Sequence, residues 1–184
     1  MFQYKDNRFH PDLITDPLAP RLKVDVGQTG FFAGREFRTF QRIDIAAGSQ
    51  YVIKAVVDSD IILLALDVTI TSGNLELETR VGGTEGGVFG GDVPIFRANN
   101  TSTSATPAGT VTLSAGGTHT GGTVLDLLLD KTDANANRTQ TVGAAQGGER
   151  GIGAGTYYFA FNALLGAGVD AVSGVFKARW QIQP

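Results

Sequence analysis

The sequence predicts an all-β chain, an antiparallel β-sandwich of jelly-roll-like kind carrying an extended N-terminal arm. Three observations predict it. Apolar and polar residues alternate with a period of two in segment after segment from about residue 35 onward. Turn signals separate those segments roughly every ten residues, many of them glycine pairs such as Gly82-Gly83, Gly116-Gly117 and Gly121-Gly122. No stretch combines a period of 3.6 with caps, so no helix is expected. Many short strands with glycine-rich connections point to a sandwich or a barrel, and about eight strands with long connections favour a jelly roll.

The elements follow in order. Residues 1–33 read as the arm and 34–184 as the sandwich domain. Three of the six prolines, Pro11, Pro17 and Pro20, lie within the first twenty positions, and proline at that density opposes both helix and interior strand. The arm holds the candidate subunit-interface residues Phe2, Tyr4, Phe9, Leu13, Ile14 and Leu18, with Phe31 and Phe32 where it meets the domain. Two adjacent phenylalanines cannot both face one core from a strand, so one of them is available to cover an edge or a neighbouring subunit. Local packing of both in an irregular segment is the competing reading.

Phe37, Thr39, Gln41, Ile43 and Ile45 then form one side of a strand, opposite Glu36, Arg38, Arg42 and Asp44. A turn at 46–49 leads to the β-branched run 51–57. Asp58-Ser59-Asp60 turns into 61–70, apolar enough at its start to be buried on both faces. Residues 74–81 alternate most regularly, Leu75, Leu77, Thr79 and Val81 against Glu76, Glu78 and Arg80. Segments 93–96, 110–113 and 124–129 are further candidates. Residues 156–164 set Tyr157, Phe159 and Phe161 against Tyr158, Ala160 and Asn162, and 175–182 put Phe176, Ala178, Trp180 and Ile182 on one face. The total is eight or nine strands.

At 184 residues the chain supports one core without staples, since a domain of about 150 residues buries roughly 70% of its unfolded surface. With no cysteine there is no disulfide, thiolate ligand or thiol nucleophile. The net charge of −3 argues against nucleic acid as the main partner. Arginine outnumbers lysine ten to five, which suits fixed, planar ion pairs at contacts. The N-terminal residues lack the apolar core of a signal peptide, and the longest apolar run, 61–66, is too short to span a bilayer. No membrane association is expected.

The search for chemistry finds little. The two histidines are His10 in the arm and His119 between two glycine pairs. No nucleophile or orienting acid accompanies His119 in a catalytic spacing, so it reads as an exposed loop residue. Asp130, Asp133, Asn135 and Asn137 gather oxygen side chains that calcium could use. Their segment lacks the turn glycine and terminal glutamate of a calcium loop, and such residues are common in turns. Glu76 and Glu78 share one strand face and read as a solvated face rather than as a catalytic carboxylate pair. Gly82–Gly87 lacks the lysine of a phosphate loop. The expectation is no enzyme, no cofactor and no metal.

Several segments resemble small β-rich structural proteins of tailed-bacteriophage virions. They are Gly34–Arg38 leading to Ile45–Lys54, Val81–Phe89, Leu113–Thr123, and Thr141–Gly143 followed by Gly148–Gly151 and Ala154–Tyr158. The resemblance covers about residues 34–184, and its motifs are mostly turns. It implies a head decoration (cement) protein on the capsid surface, made in the host cytoplasm, whose partners are the major capsid protein and neighbouring copies of itself. An arm that adds its backbone to a sheet edge would suit that role. The alternative is a tail or head-fibre module binding host-surface carbohydrate, with Tyr157, Tyr158 and Trp180 as candidate sugar platforms and Trp180 better placed in the core.

Overall fold

A computed structural model describes residues 34–99, 111–131, 138–142, 150–164 and 171–182, with backbone alone at 130–131 and 138–142. The candidate interface residues Phe2, Tyr4, Phe9, Leu13, Ile14, Leu18, Phe31 and Phe32 lie outside the described residues, as do His10, Asp133, Asn135 and Asn137. The described residues form fourteen strands and no helix: β1 (Glu36–Ile45), β2 (Gln50–Val57), β3 (Ile61–Ser72), β4 (Asn74–Val81), β5 (Thr84–Gly86), β6 (Gly91–Asp92), β7 (Ile95–Arg97), β8 (Val111–Ala115), β9 (Thr118–Thr120), β10 (Thr123–Lys131), β11 (Arg138–Val142), β12 (Arg150–Ile152), β13 (Gly155–Ala163) and β14 (Val172–Ile182).

The strands build two packed antiparallel sheets, as a sandwich requires. Sheet A runs β11-β3-β14-β1-β7, with β12 also on β3, and sheet B runs β10-β4-β13-β2-β8-β6. The pairing is nested. The first long strand pairs with the last, β1 with β14, and β2 pairs with β13. Inside those, β3 takes β11 and β12, and β4 takes β10. Between β4 and β10, the described residues 82–99 and 111–122 lengthen both sheets, with β7 in sheet A and β6 and β8 in sheet B, and supply a two-stranded flap, β5 with β9.

Period-two patterning explains most of the burial. Phe37, Ile43 and Ile45 of β1 and Phe176 and Trp180 of β14 point inward from sheet A, toward Leu75, Leu77, Phe159 and Phe161 of sheet B. The Phe176 ring meets Phe159 at 5.3 Å and Phe161 at 5.4 Å between centroids, locking the two layers together. Aromatic pairs at such spacing add about 0.5–1.5 kcal/mol each beyond their buried area.

Two expectations need correction. The 61–70 segment is not buried on both faces at its start. Only Ile61 is buried there, 62–65 are half-buried, and strict alternation begins at Leu66. The strand expected at 93–96 begins at Ile95, because Pro94 has no N–H for a ladder. Its carbonyl accepts from Thr39 Oγ1 at 2.7 Å instead. The strand expected at 124–129 is β10, with a β-bulge between Val124 and Asp126.

Candidate functional site: two outer sheet faces and one sheet edge

The outer face of sheet B lies under the flap. Val52, Tyr158 and Ala160 point away from the main core yet are buried, with Phe89 packed against them. Strand β13 is therefore covered on both faces. His119 sits on β9 and is 1% exposed, which overturns its reading as an exposed loop residue. Its ring stacks on Tyr158 at 3.9 Å and 18°. Nε2 lies 2.7 Å from the Gly82 carbonyl, which can only accept, so Nε2 carries the proton. Nδ1 is buried and has no partner among the described residues. The His119 backbone N–H donates to Gln50 Oε1 at 2.9 Å.

Glu85 of β5 completes the clamp. Its Oε1 accepts from Tyr158 OH at 2.6 Å and from Lys54 Nζ at 2.8 Å. The Lys54 hydrogen bond first, then that of Tyr158, hold the Glu85 carboxyl below its usual value. Burial first, and then Glu85, push the Tyr158 phenol up to about 12. Tyr158 is thus a neutral donor near pH 7, and the cluster fastens the flap to the outer face of sheet B.

Glu76 and Glu78 are also more enclosed than a solvated face would be. Asn162 Nδ2 donates to Glu76 Oε1 at 3.0 Å and to Glu78 Oε2 at 3.2 Å. The largely buried Arg80 and Glu78 side chains pair at 2.6 Å, and Arg80 Nη1 reaches the Gly121 carbonyl at 2.7 Å. Gln50 Nε2 joins Asn162 Oδ1 at 2.9 Å. One polar network therefore runs beneath the flap and ties down both of its ends.

Sheet A is different. Its outer face carries Arg38, Phe40 and Arg42 from β1 and Lys177 and Arg179 from β14, all exposed. Cross-strand register places Arg38 directly opposite Arg179 and Phe40 opposite Lys177. Like charges facing each other across a ladder cost stability, and the Glu36 carboxylate, 3.9 Å from Arg179 Nε, offsets part of that cost. Phe40 is 53% exposed, and its ring stacks on Phe96 of β7 at 5.3 Å and 9°. Arg38, Phe40, Ala65, Asp67, Lys177 and Arg179 line a groove of about 420 Å³.

The third feature is an edge. Of the six exposed large apolar side chains among the described residues, four lie on β10: Val124, Leu125, Leu127 and Leu129. Leu127 and Leu129 are 56% and 52% exposed. β10 ends the order of sheet B, and an exposed apolar edge strand is a template for another strand.

Other candidates resolve simply. Trp180 is in the core, Tyr158 is under the flap, and half-buried Tyr157 donates its hydroxyl to the Gly153 carbonyl at 3.0 Å. No group of three or more metal-ligating side chains occurs among the described residues. The sequence reading missed the Arg38–Arg179 opposition because it arises only when the first and last long strands pair. It also missed the β10 patch, whose three leucines and one valine were visible as a short apolar run. No protein-family model, curated protein or solved structure matches the chain.

Proposed function

We propose that this protein is a non-enzymatic structural component of a phage virion, a decoration protein that binds the major capsid protein lattice and stabilises the head. The observation that carries the proposal is the outer face of sheet A. An exposed aromatic stack, Phe40 on Phe96, rimmed by the cationic side chains Arg38, Lys177 and Arg179 is a surface suited to cover by a partner. An acidic, partly apolar lattice surface would complement those charges and bury Phe40.

Other features are compatible with that role. The nested pairing of β1 with β14, β2 with β13, β3 with β11 and β12, and β4 with β10 is that of a rolled-up long hairpin, and we read the sandwich as a jelly roll. The polar cluster on sheet B is spent on holding the flap rather than on a substrate. The apolar β10 edge suits contact with neighbouring copies.

The test is co-sedimentation with assembled capsids. The wild-type chain is expected to pellet with them, and Arg38→Glu combined with Arg179→Glu to weaken binding about tenfold or more, equivalent to about 1.4 kcal/mol. A chain lacking residues 1–33 measures what the arm adds. Equal binding by the wild type and the double variant would remove sheet A as the docking face, and no binding by any form would remove the decoration role. In sedimentation velocity, Leu127→Lys is expected to shift the protein toward smaller species without changing its circular dichroism.

A further inference from the structure

The two sheets do not close tightly where β10 of sheet B faces β12 of sheet A. A cavity of about 50 Å³ lies between them, with apolar walls that include Val57, Leu113, Phe159 and Phe176. Leu125, Asp126, Arg150 and Ile152 stand at the β10 and β12 side of it. Three independent features converge there. The β-bulge between Val124 and Asp126 places Asp126 opposite Thr79, on the inward-facing side of the strand pair, and bulges commonly re-aim a side chain in this way. Asp126 then takes both oxygens to Arg150 Nη1, at 2.8 and 2.6 Å, bridging one sheet to the other across the gap. Thr79, only 6% exposed and also lining the cavity, has a buried Oγ1 with no hydrogen-bond partner among the described residues. A hydroxyl left in that state is costly to keep.

We infer that this cavity is a binding site for a small, uncharged amphiphile, a short unbranched alkyl chain ending in a hydroxyl. The chemistry selects the class. The walls accept only an apolar tail. The Asp126–Arg150 pair is already neutral, with both carboxylate oxygens on Arg150 Nη1, so a charged head would have to break it, whereas a neutral hydroxyl bonds to Thr79 Oγ1 and leaves the pair intact. The volume selects the size. An engineered cavity of about 150 Å³ accommodates the six carbons of benzene, so a space a third of that size suits an alcohol of about one or two carbons. Entry passes between β10 and β12, and the Asp126–Arg150 bridge guards it.

The experiment titrates the full-length protein with ethanol, 1-propanol, 1-butanol and 1-hexanol while following the amide and methyl resonances of Leu113, Val57 and Thr79. A parallel arm uses xenon, which probes the apolar space without a hydroxyl. Saturable shifts confined to the cavity residues are expected, strongest at ethanol and weakening through 1-propanol and 1-butanol to 1-hexanol. Thr79→Val keeps the shape and removes the hydroxyl. It is expected to retain xenon and to lose about tenfold in affinity for ethanol. Val111→Ile, which adds a methylene at the cavity wall, is the second variant and should weaken both probes. Shifts that rise linearly and spread over the surface, equal ethanol affinity in Thr79→Val, or an ordered water alone in the cavity would each overturn the assignment.

Discussion

On the outer face of sheet B, Lys54, Glu76, Glu78, Arg80 and Glu85 all find partners within the chain, and the β5–β9 flap covers much of the network. On the outer face of sheet A, Arg38 faces Arg179, and Phe40 is half exposed with only Phe96 stacked on it. The same sandwich thus covers one face with its own flap and leaves the other open, where Arg42 pairs with Asp44 and Arg179 lies 3.9 Å from Glu36. Buried polar networks are stabilising when every member is paired and costly otherwise. On the proposed reading, a chain that closes one face with its own flap and leaves cationic and aromatic side chains open on the second separates a structural surface from a contact surface. Breaking the clamp should therefore cost stability, and altering sheet A should cost binding.

The largest effect is expected at His119. Replacing it with alanine removes a fully buried ring, the stack on Tyr158 and the bond to the Gly82 carbonyl, which together should cost about 2–4 kcal/mol. Gly83→Ala attacks the same joint from the other side. Gly83 has φ +95°, and a Cβ there would lie 2.8 Å from the His119 ring and 2.7 Å from the Thr120 carbonyl. Urea denaturation gives the stability, and hydrogen exchange at 84–86 and 118–120 shows whether the flap opens first. A change below about 0.5 kcal/mol in His119→Ala would mean that the flap contributes little to folding.

Next in size is the linkage between Glu85 and Tyr158. The lowered value of Glu85 means that its stabilising contribution is complete above the ordinary 4.5 and is lost as pH falls through the depressed folded value. Tyr158 behaves in the opposite sense. Its contribution is complete below the ordinary 10.0 and disappears as pH rises through about 12. Glu85→Gln should flatten the acid side of the stability profile. Tyrosinate absorbance should then show Tyr158 ionising earlier than in the wild type. It should remain above 10.0, because burial, the largest cause of the shift, is unchanged. An unmoved titration would mean that Glu85 and Tyr158 do not interact in solution.

These two experiments probe the part of the molecule that was hardest to read in the sequence. The long strands β1, β4, β13 and β14 were legible because each repeats its alternation over at least eight residues. Strands β5 and β9 have three residues each, too few to display a period, so Glu85 and His119 read as turn residues among glycines. The glycine pairs did mark turns, as the positive φ of Gly82, Gly83, Gly121 and Gly122 shows, but a turn signal does not say where its hairpin lands. Tyr158, Ala160 and Val52 offered a clue, since β13 and β2 are apolar on the face that should meet water, and something had to cover them. The Arg38–Arg179 opposition depends on a ladder between the ends of the domain, which no local pattern encodes. Asp126 escaped because the bulge beside it reverses the face that simple alternation assigns.

The smallest effects are expected on sheet A, and their smallness is what makes them informative. Phe40→Ala forfeits the stack on Phe96, about 0.5–1.5 kcal/mol, and at an exposed site the lower end of that range is expected. Arg38→Gln should raise stability slightly at low salt, because it removes one of two like charges held opposite each other. Salt tests the cause. Screening weakens repulsion between exposed charges beyond a Debye length of about 10 Å at 0.1 M and about 3 Å at 1 M, so the difference between Arg38→Gln and wild type should shrink as sodium chloride is added. A loss of stability at every salt concentration would mean that Arg38 holds sheet A together as Arg80 holds sheet B, and the contrast between the two faces would fail. A small gain at low salt, accompanied by weaker capsid binding, would place on one residue both the cost of the unbound face and the reason for bearing it.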